Sequence, residues 1–188
     1  MKKNKLLFIS FIFLSITANS QITKNNWLVG GNGRLAFRTQ TTNVINAKST
    51  SFGLSPNIGY FFVDKLAAGA RTSLNYDKVN FSGGVSKTTQ IGIGPFIRYY
   101  FLNPDNIVNL FSEAGYQYIH STSNSGNTSD GANSFTFSSG PVIYFNSSVG
   151  LELTINYELY KSASRNTNLR TFFITIGFQI HLQKEKDY

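Results

Sequence analysis

The chain has 188 residues, a formal charge of +8, a mean hydropathy of −0.13 and no cysteine. That length suffices for one sizeable domain. The absence of cysteine excludes a disulfide framework, a thiolate metal site and a lipidated cysteine. His120 and His181 are the only histidines, which argues against a multi-histidine metal site. No cofactor is expected. Gly, Ser, Thr, Asn, Phe and Tyr are abundant, a mixture that suits strands with one apolar and one wet face.

The first twenty residues stand apart. Lys2, Lys3 and Lys5 make a positive start, Leu6 to Ile16 is apolar, and Ala18-Asn19-Ser20 puts small residues before Gln21. This reads as a secretory signal peptide over 1–20, too short to span a bilayer as a helix. Its removal would leave 21–188 as the domain and lower the formal charge from +8 to +5. No later segment has about 18 consecutive apolar residues, so no transmembrane helix is expected.

Eight strands follow, predicted at roughly 27–40, 50–62, 66–78, 88–101, 108–121, 134–145, 149–162 and 169–182. Connections after the second, fourth and sixth read as short. Those after the odd-numbered strands read as longer and polar, with Thr122 to Ser134 the longest. Short turns at one end and longer loops at the other point to an all-β, eight-stranded antiparallel up-and-down transmembrane barrel, with both termini at the short-turn, periplasmic end.

Alternation supports each strand. In the seventh, Val149, Leu151, Leu153, Ile155, Tyr157 and Leu159 oppose Gly150, Glu152, Thr154, Asn156, Glu158 and Tyr160. A period of two places the apolar set on one surface. Aromatic residues fall into two belts. Tyr60, Phe62, Tyr99, Phe101 and Phe145 lie by the short turns, and residues such as Phe37, Phe52, Tyr76, Tyr118, Phe135 and Phe172 lie towards the other end. Amphipathic rings favour headgroup level.

Pro56, Pro95 and Pro141 open three related runs, each reading Pro-x-Ile-x-aromatic, spaced by 39 and 46 residues. Such recurrence marks a repeated hairpin. Each proline would forfeit a ladder hydrogen bond inside a paired strand. A bulge beside Gly94-Pro95 and Gly140-Pro141 would absorb the loss, whereas Ser55-Pro56 has no adjacent glycine.

On these patterns the chain resembles the small eight-stranded outer-membrane β-barrels of the OmpA and OmpX kind. The Pro-x-Ile-x-aromatic hairpins look most like the Bacteroidota-type outer membrane protein beta-barrel domain proteins. Thr175 to Leu182 is similar to the C-terminal signal read by barrel-assembly machinery, through Thr175, Gly177, Ile180 and Leu182, although six further residues follow Leu182. The resemblance implies outer-membrane residence and no single shared activity.

By strand parity the inward set contains Arg34, Arg38, Arg71, Arg98, Glu113, Glu152 and Glu158. Eight strands enclose a lumen just wide enough for side chains to fill, so Arg34, Arg71, Arg98, Glu113 and Glu152 are expected to form a lumen charge network. A packed polar core is favoured over a narrow charge-lined pore for small solutes. At the outer rim, Arg38, Lys161 and Arg170 sit where they would contact lipopolysaccharide phosphate. The expected partners are outer-membrane lipid, lipopolysaccharide and the assembly machinery, with no nucleic acid, for a monomer. Charge is lopsided, +5 at the rim against −1 at the short turns.

A lipid-modifying enzyme is the weaker alternative. His120 precedes Ser121 and Thr122, but the residue two on is not serine. Asp130, read as loop, is the only nearby acid. Gly30-Gly31-Asn32-Gly33 lacks the Lys-Ser/Thr of a phosphate loop and reads as glycines lining the lumen.

Overall fold

The computed structural model describes residues 22–41, 46–81, 83–124, 128–162 and 168–182. The expected leader, Arg165 (one of the basic residues counted at the outer rim) and the tail after Leu182 fall outside them. Eight strands form one closed barrel in chain order: β1 (Trp27–Thr41), β2 (Asn46–Val63), β3 (Leu66–Phe81), β4 (Gly84–Tyr100), β5 (Val108–Ser123), β6 (Thr128–Tyr144), β7 (Val149–Ser162) and β8 (Asn168–Leu182). Every neighbouring pair is antiparallel, and β8 returns to β1.

The period-two pattern sets the faces. Ile91, Ile93 and Ile97 on β4, Leu153 and Ile155 on β7, and Ile174, Ile176 and Phe178 on β8 all point outward and are exposed. Their neighbours Gly92, Phe96, Arg98, Glu152, Thr154, Thr175, Gly177 and Gln179 are buried in the lumen. An apolar outside around a polar inside inverts the soluble arrangement and matches a bilayer as solvent. Both aromatic belts face outward, paired in places: Trp27 with Tyr60 at 5.2 Å between ring centroids, Tyr157 with Phe172 at 4.6 Å.

The connections differ from expectation. Those after β2, β4 and β6 have two, seven and four residues; those after β1, β3, β5 and β7 have four, two, four and five. The asymmetry lies in the strands instead. Past the far aromatic belt, strands carrying a belt residue continue for four to seven residues. The stretch 122–134, read as a loop, belongs mostly to a β5–β6 hairpin in which Ser123 faces Thr128. Beyond the bilayer both faces of a strand meet water. Alternation therefore fades while Ser and Thr still support the ladder, and the strand leaves no periodic signal.

The prolines carry no bulge. Pro56 pairs with Gly31, Pro95 with Ala70 and Pro141 with Leu110 on one side. On the other side two pairs are skipped and the register resumes unchanged: Leu54–Leu74 then Asn57–Arg71, Ile93–Tyr118 then Phe96–Gly115, Ser139–Ile155 then Val142–Glu152. A bulge would have flipped every later side chain to the wrong face. A skipped pair forfeits hydrogen bonds but keeps inside and outside in place. Gly94 and Gly140 serve this by close approach: a Cβ at either would run into the carbonyl oxygen of Tyr116 or Leu153.

At the end bearing the β2–β3 turn, here the near end, Ile22, Leu28, Phe61, Ala67, Phe96, Tyr100, Phe111 and Val142 form an apolar cluster inside the barrel. Ile22 precedes β1 and is held there by backbone bonds. Its carbonyl accepts from the Lys65 N–H at 3.0 Å, and the Asn25 N–H donates to the Phe61 carbonyl at 2.8 Å. The segment before β1 thus folds over the near mouth.

Candidate functional site

The lumen is built in layers from the near end upward. Above Ile22 and Leu28 lie Phe61, Tyr100, Tyr144 and His181. The imidazole of His181 packs at 5.7, 5.9 and 5.5 Å from the rings of Phe61, Tyr100 and Tyr144. Neither of its ring nitrogens bonds to another described residue.

The next layer is ionic. Arg98 and Glu113 face each other directly in the β4–β5 register. The Arg98 Nε donates to Glu113 Oε2 at 2.9 Å, and its Nη1 reaches across to Glu152 Oε1 on β7. Arg71, on β3, forks onto the same Glu113, with Nη2 to Oε2 at 2.9 Å and Nη1 to Oε1. Arg98 Nη1 also donates to the Tyr100 hydroxyl at 3.1 Å, and Gln179 Nε2 to Glu152 Oε2 at 3.5 Å. The guanidinium of Arg98 lies 4.1 Å from the Phe111 ring centroid, and that of Arg71 lies 5.1 Å from Phe96. Two cations meet two anions, all buried, so the charges balance locally. Fork geometry supplies the hydrogen bonds that make such burial tolerable. Gly177, opposite Glu152, leaves room for that carboxylate.

Above the ions, Asn156 Nδ2 donates to Thr175 Oγ1 at 3.1 Å, and Ser138 Oγ donates to Asn156 Oδ1 at 2.7 Å. A cavity of about 70 Å³ follows, then one of about 510 Å³ toward the far end, lined by Arg34, Gln90, Asp130, Glu158, Tyr160 and Thr171 among others. The lumen is therefore stoppered below and cupped above.

Four of the five residues expected in the charge network meet in it. Arg34 does not. It lies along the cup with its guanidinium 4.8 Å from the Phe173 ring centroid, in no ion pair with a described residue. Parity places it inside, but depth along the strand separates it from Glu113 and Glu152. Of the glycine run, Gly30 faces inward beside Gln179, while Gly31 lies against Ser55 and Pro56. Only part of that run lines the lumen. Lys161 and Arg170 are exposed on the outer surface of β7 and β8, and Arg38 is on β1 past Phe37. Thr175 and Gly177 point inward; Ile180 and Leu182 point out. At the near end the Lys24 N–H donates to Asp64 Oδ1 at 2.8 Å, which sets a further lysine beside the short-turn charges Asp64, Lys65 and Asp105.

Asp130 is on strand β6, not in a loop, and accepts from Ser162 Oγ at 2.6 Å within the barrel. His120 is exposed on the opposite, outer face, its Nε2 3.1 Å from Ser129 Oγ. The acid and the histidine are thus kept apart by the sheet itself. Sequence reasoning missed the Ile22 cap and the aromatic layer. The alternation of β8 placed His181 inside, which was the available signal.

No family model matches the chain, and no curated protein matches it by sequence. Solved structures do. Neisserial surface protein A aligns over 82% of this chain and 96% of its own, at 14% identity and a TM-score of 0.54. The outer membrane protein OprG from Pseudomonas aeruginosa aligns over 88% of this chain and 100% of its own, at 13% identity and a TM-score of 0.54.

Proposed function

We propose, from the fold this chain shares with small eight-stranded outer-membrane β-barrels, that it is a non-catalytic protein of the cell outer membrane with a structural or surface-interaction role. One observation carries this reading: the Arg71–Glu113–Arg98–Glu152 network, underlain by Phe61, Tyr100 and His181, fills the lumen from wall to wall. A barrel so filled serves as a membrane-anchored platform, not a conduit. The even strand number puts Trp27 and Leu182 at one end, which we assign to the periplasm. The prolonged strand ends then face outward, for contact with lipopolysaccharide through Arg38, Lys161 and Arg170. Thr175, Gly177, Ile180 and Leu182 would be read by the assembly machinery.

Single-channel recording of the refolded protein tests this reading. No steady current is expected; a steady, ion-selective current would reject the stopper and favour a narrow porin-like channel. The fold is checked on the same sample by heat-dependent gel migration and β-rich circular dichroism. A detergent-free soluble monomer would reject the membrane barrel. The Ser129–His120 contact is a feature that favours lipid hydrolysis, but among the described residues no carboxylate joins it on its own face of the sheet.

A further inference from the structure

The β1–β8 ladder runs only from Trp27–Leu182 to Gly33–Ile176, seven positions, whereas β1–β2 pairs over fifteen. Beyond Gly33 and Ile176 both strands continue. Among the described residues each keeps only its other neighbour there, β1 with β2 as far as Thr41 and β8 with β7 as far as Asn168. Two one-sided strand edges therefore stand open at the far end, 34–41 on β1 and 168–175 on β8. Their outward residues include Leu35, Phe37, Phe172 and Ile174, at 62, 74, 74 and 63% exposure, so the opening begins within the apolar band. The cup wets it from inside, where Arg34, Leu169 and Thr171 line the wall. On the lipid side an unpaired N–H or C=O finds no water, and such backbone is tolerated only where protein covers it. An open edge of this kind is a template for a strand of another chain.

We propose, resting on the membrane-barrel reading, that this seam is a dimer interface, in which the open edge of β1 pairs with β8 of a second copy and the open edge of β8 with its β1. Strand direction selects that occupant. Both copies enter the membrane the same way round, so their two-fold axis lies along the membrane normal and leaves every strand direction unchanged. β1 of one copy is then antiparallel to β8 of the other, as the two are within one chain. β1 against β1 would be parallel, in a sheet whose every other pairing is antiparallel. A lone strand of a different protein would be antiparallel to one open edge and parallel to the other, and so would complete only one of them in the ladder type of this barrel. The edges also match in residue type. The register of the seven closed positions, continued, sets Leu35 against Ile174 and Phe37 against Phe172 on the lipid side, and small Ala36 against large Phe173 on the other. Such cross-strand pairs are the unit of sheet stabilisation. A second copy presents these residues twice over, the self-complementary exchange of a two-fold dimer. The new ladders run on directly from the one that closes the near end. A pair then takes the place of the monomer expected from the sequence.

The chain has no cysteine, so single cysteines report on the seam cleanly. L35C and I174C barrels are mixed in equal amounts, refolded into liposomes and oxidised. V29C with I180C is the control mixture, because Val29 and Ile180 face each other inside the closed near-end ladder. The L35C and I174C mixture is expected to give at least about tenfold more covalent dimer than the control, since a formed ladder raises the effective concentration far above that of chance encounter. L35C alone or I174C alone is expected to match the control. The unmodified barrel is expected to be a dimer by native mass spectrometry. Dilution in lipid to the monomer is expected to speed exchange of the 35–37 and 172–174 amides and to leave those of the β5–β6 ladder unchanged. A mixture no better than its control, or a monomer at every lipid-to-protein ratio, would overturn the dimer. A monomer whose L35C/I174C variant crosslinks within one chain has a seam that zips on itself. A monomer whose seam amides exchange fast leaves the edges to a hairpin of another protein. Either result overturns the second copy and leaves the barrel intact, whereas a chain that fails the gel and dichroism checks overturns the barrel instead.

Discussion

Arg98 on β4 grips Glu152 on β7 from across the barrel. No hairpin and no neighbouring ladder joins those two strands. Through Glu113 the same guanidinium reaches β5 and Arg71 on β3, so one ionic layer braces four strands against radial collapse or spreading. Removing one member strands the opposite charge in a dry place, at about 3–5 kcal/mol. Glu113→Ala, which strips Arg71 of its ion pair and leaves Arg98 with Glu152 alone, is expected to lower the thermal midpoint of the refolded barrel markedly, with conductance still near zero. Thermal melts followed by gel migration and bilayer recording check both halves.

The skipped pairs make the proline sites lenient and their glycines strict. Pro95→Ala and Pro141→Ala are expected to change stability by less than about 1 kcal/mol, because an interrupted ladder has few bonds left to lose. Gly94→Ala and Gly140→Ala drive a methyl into the Tyr116 or Leu153 carbonyl and are expected to cost roughly 1–3 kcal/mol or more. Urea titration of the four variants in detergent gives the comparison. Equal losses at prolines and glycines would refute this account of the interruption.

On the proposed reading Arg38, Lys161 and Arg170 lie at headgroup level, and Lys48 and Lys87, exposed on β2 and β4, are the comparison pair. Neutralising the first three is expected to weaken lipopolysaccharide binding several-fold more than neutralising the two lysines. Equal effects, or none, would leave the positive charge with only a solubility role. Surface plasmon resonance on barrels held in lipid discs, at two salt concentrations, is the measurement, since exposed charge pairs fade with salt.

Incubated with lipopolysaccharide, the barrel is expected to release no fatty acid, and Ser129→Ala should behave as the unmodified protein does. Time-dependent acyl release that Ser129→Ala or His120→Ala abolishes would establish hydrolysis and reverse the non-catalytic reading.

The barrel itself was legible because a two-residue period survives wherever lipid and lumen lie on opposite sides of a strand. Glu152 and Leu153 announce their faces by type alone. Depth along the axis was less legible: Arg34 and Arg71 share a face, yet only Arg71 is level with Glu113. Parity gives direction and not height, and height depends on shear between strands, which no single strand records. The far strand ends were hidden because Ser121 and Thr122 both meet water, so neither face imposes a residue type. Asp130 was lost to a loop for the same reason. The Ile22 cap was invisible because its hold is backbone to backbone, through Lys65 and Phe61, and side-chain identity says little about it.

The brief β1–β8 contact also bears on how the cylinder is made. Seven of its eight ladders join strands adjacent along the chain, each closing a small loop at modest entropic cost. Only β1 with β8 joins the two ends of the barrel-forming chain, the slow, non-local step in any folding order. That step is rewarded by the fewest backbone bonds of all. Assembly of this chain is therefore a curling sheet of quickly made hairpins whose rolling-up is held at the near end by Trp27 to Gly33 and Ile176 to Leu182. Mutations in those two short stretches should slow the final closure while leaving the hairpins to form at their usual pace.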